Sequence, residues 1–130
     1  MTPPANAELH ESAGGIWWIE DDILYSIGKK NAPKPTPEEG ERELAIFKKI
    51  IGDRKMCMIL DISNAKPSSR EERDRAAVEL EKLIKAVAMV TTSPFSRMVA
   101  NLFFGLKPPT YPVKMCSTVE EAKEWIKQYV

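Results

Sequence analysis

A chain of 130 residues can bury one hydrophobic core but is short for two, so the sequence predicts a single domain over 8–130 behind a disordered tail, 1–7. Its 19 basic and 19 acidic side chains balance, which argues against a nucleic-acid or acidic-membrane partner. Residues 1–7 lack the basic and apolar segments of a signal peptide, and no apolar run approaches the roughly 20 residues of a membrane span. We therefore expect a cytoplasmic protein with no membrane span.

The first part of the chain predicts a β-hairpin followed by a helix. Two β-rich runs, 9–18 and 23–28, flank a short acidic turn, which is the pattern of a hairpin. A proline-rich connection follows. Thr36 and Pro37 then provide a cap and a first-turn proline for a helix that Gly52 ends, with apolar residues at helical spacing between them.

The rest of the chain alternates between apolar strands and helices. Apolar runs predict strands at 56–62, 85–91 and 112–116, with a helix after each of them. Ser69 and Glu72 form a capping box at the start of the helix that follows the first of these strands. Alternation of strands and helices in this order predicts an α/β fold. Right-handed crossovers then place the later strands parallel to one another in one sheet. We expect a mixed five-stranded sheet with an N-terminal hairpin, its last three strands parallel, and about four helices.

The cysteines and the single histidine do not form a recognisable site. Cys57 and Cys116 lie in predicted interior strands, so we expect buried, reduced thiols. His10 lies in the first edge strand and is expected to face solvent. The spacing of these residues fits neither zinc nor a thiol nucleophile with an imidazole beside it, and no glycine-rich phosphate loop occurs. The sequence therefore predicts no catalytic residue, no metal, no cofactor and no enzyme activity.

A polar loop follows the strand at 56–62, in the position where open α/β folds place their sites. Asp61, Ser63, Ser68 and Ser69 make it a candidate recognition loop. A nucleophilic Asp61 would need a second acid and a metal, so the favoured role is to accept backbone N–H groups. Ser68 and Ser69 are either helix caps, worth about 1 kcal/mol, or phosphorylation sites that place a charge of about −2 at a positive helix end.

The third helix is apolar over a wider arc than packing on a sheet requires. Core burial accounts for much of this arc. The remainder is a candidate binding surface for a protein partner, for a second copy of the chain in a homodimer, or for an apolar small molecule. Its members are Phe95, Met98, Val99, Leu102 and Phe103.

The order of elements resembles that of STAS domains. The likeness rests on the leading hairpin, on the strand ending Ile59-Leu60-Asp61-Ile62-Ser63 with its serine-bearing loop, and on a closing section, 93–126, that is similar to uncharacterised bacterial STAS-like proteins. It covers residues 8–130. STAS domains are shared by bacterial anti-sigma-factor antagonists and the cytosolic tails of sulphate transporters, so the resemblance implies a non-enzymatic interaction or regulatory module.

The resemblance also implies a regulatory position. The switch of the family is a serine, in an Asp-Ser-Ser-Gly segment, that a partner kinase phosphorylates. Its nearest match here is Lys66-Pro67-Ser68-Ser69-Arg70-Glu71, which has the serines but neither the preceding acid nor the following glycine. The alternative function is a small apolar-ligand or lipid-binding protein with a pocket under the helix at 95–106, because STAS-like sheets resemble the CRAL-TRIO lipid-transfer fold in outline.

Overall fold

The computed structural model describes residues 1–34, 36–105 and 108–130, with the backbone alone at 103 and 105. Within these residues one six-stranded sheet has its strands side by side in chain order. The strands are β1 (His10–Glu11), β2 (Gly15–Glu20), β3 (Ile23–Gly28), β4 (Met56–Asp61), β5 (Ile84–Val90) and β6 (Val113–Cys116). The helices are α1 (Pro37–Ile51), α2 (Arg70–Leu83), α3 (Pro94–Gly105) and α4 (Val119–Ile126).

The predicted mixed α/β fold is confirmed, with two differences in the sheet. The antiparallel pairs are β1–β2 and β2–β3, whereas β3 to β6 are parallel, one strand more than predicted. The β-rich run at 9–18 is divided into two strands, so there are six rather than five. The break is a tight turn in which Ser12 Oγ accepts a hydrogen bond from Gly14 N at 3.0 Å, and Ser12 N donates to Gly15 O at 3.0 Å.

The turns and helix starts follow the local chemistry of the sequence. Asp21 and Asp22 both have positive φ, 54° and 64°, which is the backbone of a two-residue hairpin turn that follows the twist of its strands. Three capping side chains, those of Thr36, Ser69 and Thr118, each accept a hydrogen bond from the N–H three residues later, at 3.1–3.2 Å. The helix starts predicted from Thr36 and Ser69 are therefore confirmed.

The two faces of the sheet carry two separate hydrophobic clusters. Helix α4 packs against β4, β5 and β6, and covers what we call the α4 face. Its buried side chains include Trp18, Tyr25, Cys57, Ile59, Ala86, Ala88, Cys116, Ala122 and Ile126. The opposite face is covered by α1, α2 and α3, and its buried side chains include Trp17, Leu24, Met58, Val87, Met89 and Ala100. The central strands are thus buried on both faces, as their continuous apolar runs indicate.

Both cysteines lie in the cluster of the α4 face. Cys57 and Cys116 are buried and form no disulfide, and burial raises the pKa of both thiols.

His10 is partly exposed in β1, at the edge of the sheet. Met1 and Ala7 pack at the margin of the same cluster, and the predicted disorder of 1–7 stays a prediction. Within the described ranges, no helix is both long and apolar enough to cross a membrane.

Candidate functional site

The candidate recognition loop begins where β4 ends. Asp61 is the last residue of the strand, and its Oδ1 accepts a hydrogen bond from Ser63 N at 2.9 Å. Ile62 N donates to Val90 O at 3.1 Å, and Ala65 N donates back to Ile62 O at 2.9 Å. The carboxylate of Asp61 therefore holds the first turn of the loop, which is the backbone-accepting role favoured by its sequence position.

Hydroxyl groups connect this loop to the start of α3. Thr91 is buried just beyond β5, and its Oγ1 accepts a hydrogen bond from Ser93 N at 3.0 Å and lies 3.5 Å from Ser63 Oγ. Ser96 is also buried, and its Oγ donates to Ser63 O at 3.2 Å. Sequence reasoning did not single out Thr91 or Ser96. Their only signal was a run of small hydroxyl residues between β5 and α3.

The polar groups at this edge bond mainly to one another and to the backbone. Arg97 Nη2 donates to Thr91 O at 3.3 Å and to Ser117 Oγ at 3.1 Å, so this cation ties the ends of β5 and β6 together. Ser117 N in turn donates to Glu121 Oε2 at 3.1 Å. Across the described part of the chain, no three His, Cys, Asp or Glu side chains cluster closely enough to hold a metal ion. The arrangement thus positions strands and helices.

Ser68 and Ser69 lie at the other end of the loop, where α2 begins. Ser69 is exposed, and its Oγ caps α2 by accepting from Glu72 N at 3.2 Å. Ser68 is half-buried, and its carbonyl oxygen accepts from Arg73 Nη1 at 2.6 Å. The exposed hydroxyl of Ser69 therefore has a structural role, whereas Ser68 contributes its backbone.

Helix α3 exposes three large apolar side chains along one line. Phe95, Met98 and Leu102 are 53%, 51% and 56% exposed, and their spacing of three and four residues places them on one side of the helix. We call these three residues the α3 stripe. Val99 is half-buried, and the side chain of Phe103 lies outside the described part of the structure.

A cleft of about 410 Å³ lies between the helices α1, α2 and α3 and the face of the sheet that is opposite to the α4 face. The predicted pocket was placed under α3 alone, whereas this cleft also reaches α1 and α2. The sheet contributes apolar side chains to its lining, and so do all three helices. These residues include Trp17, Met58, Leu60, Met89, Leu44, Phe47, Leu80, Val99, Leu102 and Phe104.

Polar groups enter the cleft from α1. Burial raises the pKa of Glu43 above its ordinary value, and the negative charge of Glu39 adds to this effect. A hydrogen bond of 3.2 Å from Ser12 Oγ to Glu43 Oε1 opposes the shift. Glu39 Oε1 accepts from Arg42 Nη1 at 2.6 Å, while its Oε2 is buried without a hydrogen-bond partner among the described residues. The α1 side of the cleft therefore disfavours additional negative charge.

Comparisons with known proteins bear on the fold and on the family. The chain is 16% identical to an uncharacterised protein of the DUF3478 family with a SpoIIAA-like fold from Shewanella loihica PV-4; the alignment covers 96% of this chain and 98% of that one, with a TM-score of 0.54. A protein of unknown function from Arthrobacter sp. FB24 is 22% identical over 93% of this chain and 98% of its own, with a TM-score of 0.32. A comparison with curated proteins gave no significant match.

The likeness to the Shewanella protein confirms the STAS-like fold that the sequence resemblance implied. It concerns the fold alone, because fold similarity at this identity does not carry an activity with it. The family described as a domain of unknown function, DUF7793, matches residues 17–130, from the second strand of the sheet to the last residue. Because this match spans most of the sequence, the chain belongs to the DUF7793 family.

Proposed function

We propose that this chain is a non-enzymatic, cytoplasmic protein-interaction module of STAS type. Its recognition surface consists of the loop 61–69 and the α3 stripe. The observation that carries the proposal is the exposure of Phe95, Met98 and Leu102, since three large apolar side chains aligned on one helix form the kind of patch that monomeric proteins seldom leave in water.

The hydrogen bonds around the loop support treating the two regions as one surface. Ser96 belongs to α3, and its bond to Ser63 O fixes the start of that helix against the loop. Asp61 is engaged with the backbone of Ser63, and Thr91 with that of Ser93. Groups used in this way hold a surface in shape, which favours recognition over bond-making chemistry.

The occupant we propose for the α3 stripe is a protein, either a different chain or a second copy in a homodimer. Met98→Glu places a charge in the centre of the stripe and should weaken such binding by about tenfold or more, because the apolar burial is lost and a carboxylate must be desolvated. Val78→Glu is the matched control, since Val78 is an exposed apolar residue on α2 outside the stripe.

The experiment combines sedimentation velocity with affinity capture from the source organism, using wild type and both variants. We expect wild type and Val78→Glu to share the same dimer or the same captured proteins, and Met98→Glu to lose them. Equal behaviour of Met98→Glu and wild type would rule out the α3 stripe as the recognition surface.

We further propose that binding is regulated at the loop 61–69, with phosphorylation of Ser68 or Ser69 as the switch. Ser69 is the more accessible of the two hydroxyls. A phosphate on Ser69 would face the positive end of α2, with Arg70 and Arg73 nearby in sequence and Glu71, Glu72 and Asp74 opposing it. The two arginines and the helix end favour the modified state, and the three acidic side chains disfavour it.

Substitutions at Ser69 separate capping from switching. Ser69→Ala should lower the free energy of unfolding by about 1 kcal/mol because the bond to Glu72 N is lost, whereas Ser69→Asp should be nearly neutral because aspartate also caps helices. Ser68→Ala is the control, since its backbone carbonyl, which accepts from Arg73, is retained. If Ser69 is the switch, Ser69→Asp loses the captured proteins at an unchanged melting temperature, and recovery of the same proteins by Ser69→Asp would refute that role. Ser68→Asp applies the same test to Ser68.

A small apolar-ligand or lipid carrier is the second candidate function. The observation that favours it is the cleft of about 410 Å³, which falls within the volume range of about 300–1,000 Å³ of small-molecule pockets. Native mass spectrometry of the purified chain distinguishes the two candidates. A mass increment that survives gentle ionisation and disappears on denaturation supports the carrier, while an unmodified mass supports the module.

A further inference from the structure

The carboxyl group of Glu43 lies at the wall of the cleft. On α1, Gly40, Glu43 and Phe47 recur at helical spacing and all line the cleft, so this side of the helix faces it. Ser12 Oγ donates to Glu43 Oε1 at 3.2 Å, and a Cβ on Gly14 would collide with the same oxygen atom. Gly14 also lines the cleft. The carboxyl group is therefore held between α1 and the turn that joins β1 to β2.

The second oxygen of Glu43 is available to a ligand. Glu43 is half-buried, and its Oε2 has no hydrogen-bond or ion-pair partner among the described residues. Burial raises the pKa of this carboxyl group, and the charge of Glu39 one turn away raises it further. Glu43 Oε2 keeps accessible surface, because it is not one of the polar atoms of the described residues that are both inaccessible and unpartnered. Those atoms are Trp17 Nε1, Trp18 Nε1, Glu39 Oε2 and Glu79 Oε2.

The charges that line the cleft balance in number but leave Glu43 without a cation. Four basic and four acidic side chains of the described residues line it. Three of the basic groups are engaged, since Arg75 pairs with a carboxylate of α1, and Arg73 and Lys66 donate to backbone carbonyl oxygens. The fourth, Lys34, is exposed. None of these four forms an ion pair with Glu43, so a cation at this carboxylate would have to come from a ligand.

We propose that the cleft binds a small, mainly apolar molecule with one protonated amine, and that Glu43 Oε2 accepts a hydrogen bond from this ammonium group. The apolar lining holds the body of the molecule, and the charge-assisted hydrogen bond orients it. The carboxylate is already partly removed from water in the folded chain, so much of its hydration is lost before the ligand binds. This inference rests on the second candidate function, the small-ligand carrier, and names its ligand class. It does not depend on the α3 stripe as a protein-binding surface.

The test uses three probes of nearly the same shape and different charge: 2-(aminomethyl)naphthalene, 2-(hydroxymethyl)naphthalene and 2-naphthoate. The full chain is titrated with each of them by isothermal titration calorimetry near neutral pH. We expect the amine to bind about tenfold more tightly than the alcohol, and the carboxylate to bind most weakly. In Glu43→Gln the amine and the alcohol should bind equally. Glu38→Gln is the matched control and should keep the preference, because it removes the same charge from an exposed position of α1 that is absent from the described cleft lining.

A second pair of variants assigns the binding to the cleft. Ala76→Phe adds a ring inside the cleft and should weaken binding of the amine by about tenfold or more. Ala77→Phe is the matched variant, because Ala77 is the next residue of α2, is also half-buried and is absent from the described cleft lining. Circular dichroism establishes that all four variants are folded.

The outcomes separate the ligand class from the carrier function. If the amine and the alcohol bind wild type equally and both are lost in Ala76→Phe, the ammonium site at Glu43 is wrong and the carrier function stands. A preference for the amine that persists in Glu43→Gln overturns the site in the same way. If none of the three probes binds, or if Ala76→Phe binds the amine as wild type does, the inference and the carrier function both fail. A preference that Glu43→Gln abolishes, and that Glu38→Gln and Ala77→Phe keep, supports the inference.

Discussion

Replacing Trp18 with alanine is expected to lower the free energy of unfolding by about 3–5 kcal/mol. The side chain is fully buried at 0% exposure, and its ring stacks on Tyr25 with 5.3 Å between centroids. The cavity left behind would lie among Cys57, Ile59 and other buried side chains of the α4 face, where paired strands limit collapse. Urea denaturation followed by far-ultraviolet circular dichroism measures the effect.

Trp125→Ala is the control for this prediction. Trp125 lies on α4, is only half-buried and contacts Tyr129 with 5.0 Å between centroids. Trp125→Ala should lower the free energy of unfolding clearly less than Trp18→Ala, because less apolar surface becomes exposed to water and solvent fills the space. Equal losses in the two variants would contradict the position of Trp18 in the centre of the α4 face.

The second large effect is expected at the close approach between β2 and β3. A Cβ on Gly15 would lie 2.8 Å from the backbone oxygen of Ile27, so Gly15→Ala must displace a paired strand. We expect a loss of about 1–3 kcal/mol in the free energy of unfolding, as for other overpacked sites. The same urea titration measures it, at constant protein concentration.

Gly40→Ala is the matched control, and we expect it to raise the free energy of unfolding rather than lower it. Gly40 lies within α1, and among the described residues a Cβ there would meet only Arg75 Nη2 at 3.6 Å, an ordinary contact. Alanine in a helix interior is favoured over glycine by about 0.5–1 kcal/mol, so this variant should be more stable than wild type. A neutral Gly15→Ala alongside a stabilised Gly40→Ala would show that β2 and β3 tolerate a side chain at Gly15.

Local signals predicted most of the fold. Thr36, Ser69 and Thr118 mark helix starts because each capping bond spans only three residues, and Gly52, with φ of 72°, marks a helix end for a similarly local reason. The sixth strand was missed because β1 is two residues long and shows no periodicity of its own. Its existence depends on pairing with β2, which the sequence pattern does not reveal.

The site was predictable only in part. The loop after β4 and the excess apolar arc of α3 follow from strand position and helical spacing. The cleft depends on contacts between residues about 30 positions apart in sequence, such as the bond from Ser12 to Glu43 and the ring contact of Trp17 with Phe47. No local sequence pattern predicts such contacts, since they form only when α1 and α2 pack against the sheet.

Hydrogen–deuterium exchange of the complex with its bound protein partner, or of the homodimer, tests the central claim most directly. We expect slower exchange on binding at two places, the first half of α3 around the α3 stripe and the loop 61–69. Exchange in α4, on the other face of the sheet, should not change. Protection confined to α4 or to the β1 edge, with α3 and the loop 61–69 unchanged, would contradict the proposed recognition surface.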